Sequence, residues 1–522
     1  MVRTRAWSDV LVGTGMLVRW ARPWTSTLRA ARADGLSFSS LVALAAVRDP
    51  YGTAIVDDVG RLTYAELDRH VHDVAASLGR DVRRVAVLGR NGRGLVVALA
   101  GAIRSGADVV VLNADMTPAQ IASALTAEPV DVVLIDGDDL PRLPDAVAVI
   151  DVRDVVAADG SAEGSVDDVA AVVHPRTTGR RGTVVLLTSG TTGAPRGAHL
   201  ARYTAVSAAP VTTLLRALPW RRTTSFVVTA PIFHGFGLGF LALGLAAGLP
   251  VVLHRTVDAA VVSRDLAARP CSVLVGVPPV LARVARHPPG VPVAAVVSGS
   301  GLLHPAVCAR LTDAFGPVLL NLYGSSEEGW STLAGPDDLA RAPGTVGRAA
   351  AGIRVAVLDD DGRPVAPGQV GRIGVRSRLE FAHYTEGGRR PRLAGYADSG
   401  DLGHVDGFGL LHVDGRLDDV VVIGGENVVV TAVEAVLLEH RDVDDARVDA
   451  MPDEEWGARL VARVVPTTGA DPGSLADDVL AHARARLPSF AVPRDVVVVD
   501  TLDRSATGTV RRERPHDGGP TA

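Results

Sequence analysis

Short runs of β-branched and other apolar residues alternate with helical patterns from about residue 41 to residue 413, and that alternation restricts the possible folds more than any other feature of the chain. The runs fall at 85–88, 108–112, 132–135, 226–229, 272–275, 294–297 and 318–322. Helix-like segments such as 95–103, 279–285 and 305–315 lie between several of them. A strand that is apolar on both faces has to be covered on both faces. The pattern therefore predicts an α/β fold, with a large N-terminal domain of parallel sheets covered by helices. At 522 residues the chain is too long for a single core and should divide into at least two units.

Two changes of texture place the divisions. From Thr345 onward, short strands with turns such as DDDG and APGQ read as a small β-rich unit attached to the large domain. At GRLDD, residues 415–419, a compact α+β segment of about a hundred residues begins. The expected organisation is an N-terminal appendage over 1–40, a large domain over 41–413, a hinge over 414–419, a small C-terminal domain over 420–514 and a disordered tail over 515–522. The appendage has early arginines and a short apolar run at 10–18 without a convincing cleavage site, so it is not read as a signal peptide.

Bulk properties exclude several classes. The net charge of −6 is mild and both signs are interspersed, which leaves a nucleic-acid partner no electrostatic basis. The two cysteines, Cys271 and Cys308, lie far apart in apolar contexts. They read as small buried hydrophobes in a reducing compartment, so the expected location is cytoplasmic and a disulfide framework is excluded. Residues 235–253 carry no charge over 19 positions, yet several glycines and Pro250 interrupt them; a buried helix leading into a core strand is expected rather than a membrane span. Peripheral membrane contact stays open.

The stretch LLTSGTTGAPRGAHL, residues 186–200, carries the first chemistry. It follows an apolar run and places Thr188 to Gly193 where a strand gives way to a turn. Ser189, Thr191 and Thr192 supply hydroxyl donors, Gly190 and Gly193 admit close backbone approach, and Arg196 adds a fixed positive charge. Such a set of donors and backbone dipoles suits a polyphosphate. Its spacing is not that of the GxxxxGK[ST] loop, and by itself it could be an ordinary Gly/Thr turn.

The stretch resembles the phosphate-binding signature of the adenylate-forming superfamily, which contains acyl-CoA synthetases, luciferases and nonribosomal-peptide adenylation domains. Four further segments resemble the same superfamily in the same order, so the likeness covers roughly residues 40–512. PIFHGFGLG, at 231–239, is similar to the substrate-side motif, with His234 heading small residues that could wall an acyl tunnel. SGSG at 298–301 and NLYGSSEEG at 321–329 are similar to the loops that hold the adenine. The resemblance assigns nucleotide contacts there to Ser300, Gly301, Asn321, Tyr323, Gly324, Ser325 and Ser326, with the Tyr323 ring stacking on the base. It makes Glu327 the magnesium carboxylate, since a hard cation takes oxygen ligands. SGDLGHVDG at 399–407 resembles the ribose motif, with Asp401 accepting the two ribose hydroxyls and Arg416 adding a second contact. Asp418 falls at the hinge about which the small domain turns. IGGENV at 423–428 resembles the loop that meets the substrate and the pantetheine thiol, with Gly424 and Gly425 permitting close approach. Val430 and Ala432 replace a usual proline and glutamate there, although Glu434 is kept.

The likeness breaks at one chemically important place. All 53 Lys+Arg residues of the chain are arginine. Arg196 stands where members carry lysine and keeps the charge. The family's C-terminal signature ends on a lysine that bridges substrate carboxylate and α-phosphate; in LDRSATGTVRR that position is Thr509. Ala491 likewise stands where another lysine is common.

The resemblance implies catalytic roles for Thr191, Arg196, His234 and Glu327 and a lost one at Thr509. It implies ATP, Mg2+ and CoA as cofactors and a carboxylic acid as substrate, with actinobacterial fatty-acyl-CoA synthetases as the nearest likeness and a medium or long fatty acid as the expected acid. Two other readings stay open: a nucleotide- or acyl-adenylate-binding protein with little catalysis, and an acyl-AMP ligase loading an acyl carrier protein.

Overall fold

The structure is a computed structural model. It describes residues 37–137, 143–144, 147–158, 182–189, 195–199, 209–325, 328–377, 391–423, 425–453, 456–467 and 469–502. Among these the fold is α/β, with a large N-terminal domain and a smaller C-terminal one.

Two sheets form the large domain. The first has six strands in the spatial order Ala148–Asp151, Val132–Asp136, Arg84–Gly89, Asp108–Leu112, Val184–Ser189 and Pro195–His199, parallel except for the last. The second has nine, in the order Arg348–Ala349, Gly329–Ala334, Leu319–Ser325, Ala295–Ser298, Val273–Gly276, Phe226–Val228, Val251–Leu253, Thr53–Asp57 and Gly60–Thr63. Its inner strands are parallel, and antiparallel pairs close both ends. The continuous apolar runs become these inner strands because helices cover both of their faces. Helix Arg93–Ser105 is buried along almost its whole length, packed on helix Tyr64–Ser77 and three strands of the first sheet. One hydrophobic cluster joins side chains of both sheets, from Val85 and Val87 to Phe226, Val228 and Val251.

The chargeless stretch resolves as the sequence suggests. Helix Gly235–Ala247 ends at Gly248, and strand Val251–Leu253 follows with every residue buried. Among the described residues no helix is long and apolar enough to cross a membrane. The first described helix, Phe38–Arg48, starts within the span expected as the 1–40 appendage. Helix Phe38–Arg48 is capped by a reciprocal Ser37–Ser40 hydrogen-bond pair and sends Val42 and Ala45 into the main core. Cys308 is buried, but Cys271 is only half-buried, on a left-handed turn with φ 63°.

The β-rich unit is a five-stranded antiparallel sheet built around Tyr396–Val405, which pairs with Gly371–Arg376, Arg392–Leu393 and Leu411–Arg416; Arg354–Leu358 forms the outer strand. After a short 3-10 turn at Leu417–Asp419 come the hairpin Val420–Ile423/Glu426–Val429, helix Val430–Leu438 and helix Pro472–Arg484. These last elements cover a sheet of Val443–Asp453, Gly457–Pro466 and Asp495–Val498. Among the described residues, the hydrophobic cluster here uses none before Val421, so this segment has a core of its own. Glu434 is buried within it and accepts the backbone N–H of Val448 at 2.9 Å, which ties helix to strand.

Candidate active site

A cavity of about 1370 Å³ lies where the nine-stranded sheet, the β-rich unit, the Leu417–Asp419 turn and the small domain meet. Strands Ala295–Ser298 and Leu319–Ser325 run side by side and parallel, with Ser298 opposite Asn321. Their carboxyl ends deliver Ser300 and Gly301, and Tyr323 and Gly324, to the same wall. Parallel α/β sheets present ligand-binding loops at that edge. Ser300 adopts φ 60°, a left-handed conformation uncommon for a residue other than glycine. Position 324 has to be glycine for a different reason. A Cβ there would lie 2.2 Å from the Gly329 carbonyl oxygen, because the returning strand Gly329–Ala334 crosses it at a bulge.

The Tyr323 hydroxyl donates to Asp401 Oδ2 at 2.7 Å, across the boundary between the two sheets. Burial and the nearby Asp401 and Glu328 carboxylates push its pKa well above the usual phenol value. It therefore remains a donor at any physiological pH. Asp401 and Arg416 are cross-strand partners, with Arg416 Nε 3.7 Å from Asp401 Oδ1. Pairing in this hairpin brings together two residues that the sequence offers only as separate candidates.

His234 precedes helix Gly235–Ala247 and packs against the Phe233 ring at 4.7 Å, beside the cavity and not on its wall. Burial holds its pKa down to about 4, against the opposite pull of the Asp115 carboxylate. At neutral pH the imidazole is therefore uncharged. In an unfolded chain the ring titrates near 6.5, so between 6.5 and about 4 the unfolded state binds the extra proton. Stability from this group falls as pH drops through that window. Over the same window His234→Gln should lose less stability than the parent chain in urea unfolding. Equal losses would show that another group titrates.

The Leu417–Asp419 turn and the small domain complete the enclosure. Asp418 and Asp419 line the cavity from the 3-10 turn. A Cβ at Gly415 would come within 2.3 Å of Val429 Cγ1 and 2.6 Å of Thr431 Oγ1, so the strand entering the hinge lies directly against the start of helix Val430–Leu438. Gly425, at φ 89°, turns the hairpin Val420–Val429. Asp444 of the small domain pairs with Arg286 and, at 3.4 Å, with Arg310 of the large one. The last described residues, Asp500 to Leu502, lie on the cavity wall.

Thr188 and Ser189 end one strand of an antiparallel pair, and Arg196 sits opposite Thr188 on the returning strand. The connection between them carries Gly190, Thr191, Thr192 and Gly193, which lie outside the described residues, as do Ser326, Glu327, Gly424 and Thr509. Ser325 closes the strand that carries Tyr323. Asn321, expected among the nucleotide contacts, does not line the cavity. It is buried and spends its amide on the Thr345 carbonyl at 2.9 Å, which makes it a brace for the sheet edge. Asn91 was not anticipated. It lines the cavity, donates to the Ala230 carbonyl at 3.0 Å and accepts the Ile232 N–H at 2.8 Å, thereby fixing the turn that leads to His234. Its only sequence signal is its place just past an apolar strand.

Residues 42–385 match the AMP-binding enzyme family, and residues 432–509 match the AMP-binding enzyme C-terminal domain. The chain is 31% identical over 350 residues to an indoleacetate–CoA ligase of Aromatoleum aromaticum, covering 63% of this chain and 66% of that one. It is 31% identical over 351 residues to a medium-chain fatty-acid–CoA ligase of Escherichia coli, covering 64% and 61%. The chain thus spans just under two thirds of the length of these curated relatives. The crystal structure of ATP-bound MatB from Rhodopseudomonas palustris superposes with a TM-score of 0.71 over 90% of this chain and 97% of that one, at 28% identity.

Proposed function

The chain belongs to the AMP-binding enzyme family, within the adenylate-forming superfamily, and we propose that it is an ATP- and magnesium-dependent acyl-CoA ligase. In the first half-reaction a carboxylate oxygen attacks the α-phosphorus of ATP, and the bond to pyrophosphate breaks. In the second, the CoA thiol attacks the acyl carbon and AMP leaves with the electron pair. The observation that carries this reading is a cavity on whose wall Ser300, Gly301, Tyr323, Asp401, Arg416 and Asp418 converge. A stacking ring, a carboxylate and a guanidinium suit base, ribose and phosphate oxygens respectively. The loop from Thr188 to Arg196 would hold the phosphates. Glu327 would hold the magnesium ion, which neutralises phosphate charge when bound.

The proposed acid is a medium or long fatty acid. The E. coli relative and the apolar helix behind His234, whose Phe236 and Phe240 rings meet at 5.4 Å, support it. Hydroxamate trapping across fatty and aromatic acids tests the substrate. Pyrophosphate exchange and CoA attack on supplied acyl-adenylate test the two halves separately. Activation of aromatic acids alone would overturn the fatty-acid reading, and absence of both half-reactions would overturn the ligase.

Thr509 favours a second reading, in which the protein binds nucleotide and acyl-adenylate but adenylates slowly. Fast acyl transfer from supplied acyl-adenylate beside slow exchange is its signature. Comparing CoA with a phosphopantetheinyl carrier protein as acceptor then separates the CoA ligase from a ligase that loads a carrier.

A further inference from the structure

We propose that Asn91 is a positioning residue for the acid: its carboxamide holds the apolar wall formed by Pro231 and Phe233 against the six-stranded sheet, and so governs how tightly the acyl chain is bound without altering the hold on the nucleotide. This rests on the acyl-CoA ligase reading given above.

Asn91 follows strand Arg84–Gly89 of the six-stranded sheet, whereas the turn it touches follows strand Phe226–Val228 of the nine-stranded one. The side chain is buried where the two sheets meet. It donates to the Ala230 carbonyl at 3.0 Å and accepts the Ile232 N–H at 2.8 Å. A carboxamide carries a donor and an acceptor in one plane, so it pairs with the two residues flanking Pro231 much as a neighbouring strand would. The backbone that carries it is itself fixed. Helix Arg93–Ser105 begins two residues on, and the Arg93 N–H donates to Asp57 Oδ2 at 2.8 Å.

Pro231 has no N–H of its own to secure the turn. Its carbonyl accepts the His234 N–H at 3.2 Å, and a Cβ at Gly237 would lie 2.3 Å from that same oxygen. The turn and the first coil of helix Gly235–Ala247 are therefore packed as one piece. Ala230 and Ile232 are buried, and buried backbone groups need partners. Without the carboxamide, the Ala230 carbonyl and the Ile232 N–H have to find new ones, and the turn shifts to do so. Pro231 and Phe233 move with it, and both line the cavity. Tyr323, Asp401 and Arg416 come from other strands, so the shift falls on the apolar wall.

The test is calorimetric titration of the full-length chain with two probes that need no turnover: decanoyl-sulfamoyladenosine, a stable mimic of an acyl-adenylate, and sulfamoyladenosine, which lacks the acyl chain. Asn91→Ala should bind the decanoyl compound about tenfold more weakly, a loss the size of one or two hydrogen bonds, and the bare nucleoside within about twofold of the parent. Asn91→Asp keeps the shape and the acceptor but sets an oxygen against the Ala230 carbonyl, so it should weaken the decanoyl compound at least as much as alanine does. Equal weakening of both probes, or loss of all binding, would make Asn91 a general brace and overturn the inference. No change in either, or parent-like binding by Asn91→Asp, overturns it as well. A parent chain that binds both probes equally overturns the fatty-acid reading of this wall, and the inference with it, while the nucleotide reading stands. A parent chain that binds neither overturns the nucleotide reading, and this inference falls too.

Discussion

Thr509→Lys should raise acid-dependent pyrophosphate exchange by roughly 10²–10³-fold, the usual worth of a donor that stabilises charge mainly in the transition state. The family match in the C-terminal domain ends at residue 509, the position at which the sequence resemblance implies a lysine. Threonine offers one neutral hydrogen bond and cannot offset charge gathering on a phosphoryl oxygen. The loss is specific to the first half-reaction, so transfer from supplied acyl-adenylate to CoA should stay within a few-fold of the parent. Arg504, Arg511 and Arg512 flank the position, but a guanidinium is a planar fork and does not reproduce a compact ammonium charge. Fast exchange by the parent chain would mean that one of these arginines replaces the lysine. A slow parent with no gain in Thr509→Lys would show a second defect in adenylation. At Arg196 the exchange of lysine for arginine keeps the charge; at Thr509 the charge is gone, and the two positions therefore make opposite predictions.

The second large effect is on stability. Arg104→Met should destabilise the large domain by about 3–5 kcal/mol, the cost typical of leaving a buried charge without its partner. The Arg104 side chain is 2% exposed and that of Asp68 is 7%. Besides its ion pair with Asp68, Arg104 donates from Nη1 to the Asp68 carbonyl at 3.1 Å and from Nε to Ser39 Oγ at 3.0 Å. One guanidinium thus joins helices Phe38–Arg48, Tyr64–Ser77 and Arg93–Ser105. Removing it leaves the buried Asp68 carboxylate without its guanidinium partner. The double variant Arg104→Met/Asp68→Leu should recover most of the loss, because replacing both partners by apolar groups leaves no orphaned charge. Urea unfolding followed by a probe in the large domain reads both. A double variant no better than the single one would show that the packing of the arginine stem, and not the stranded charge, sets the cost.

Much of the architecture was legible because its causes are local. Strand Asp108–Leu112 and helix Pro305–Phe315 fall where the sequence pattern puts them, and the chargeless stretch splits into helix and strand at its glycine and proline. The texture change at GRLDD coincides with the boundary between the hydrophobic cluster of the small domain and those before it. The site was less legible. Asn321 belongs to a motif by its neighbours, but its burial beside Thr345 is set by a loop 24 residues on, and no local pattern reports it. Asn91 has a similar history in reverse: its two hydrogen bonds reach a turn about 140 residues away.

By itself the sequence determined the α/β alternation, the division into a large and a smaller domain and the residue types of the motifs; the nucleotide roles and the lysine position at Thr509 are what the resemblance implies. Each depends on residue type and short-range spacing, which a linear reading preserves. Only the tertiary structure decided which of those residues meet. It joined Tyr323 to Asp401, set Asp401 against Arg416, moved Asn321 out of the cavity and brought the small domain onto the same wall. Those outcomes follow from strand order and hairpin register, which depend on how whole sheets bury their apolar faces and have no local signature in the chain.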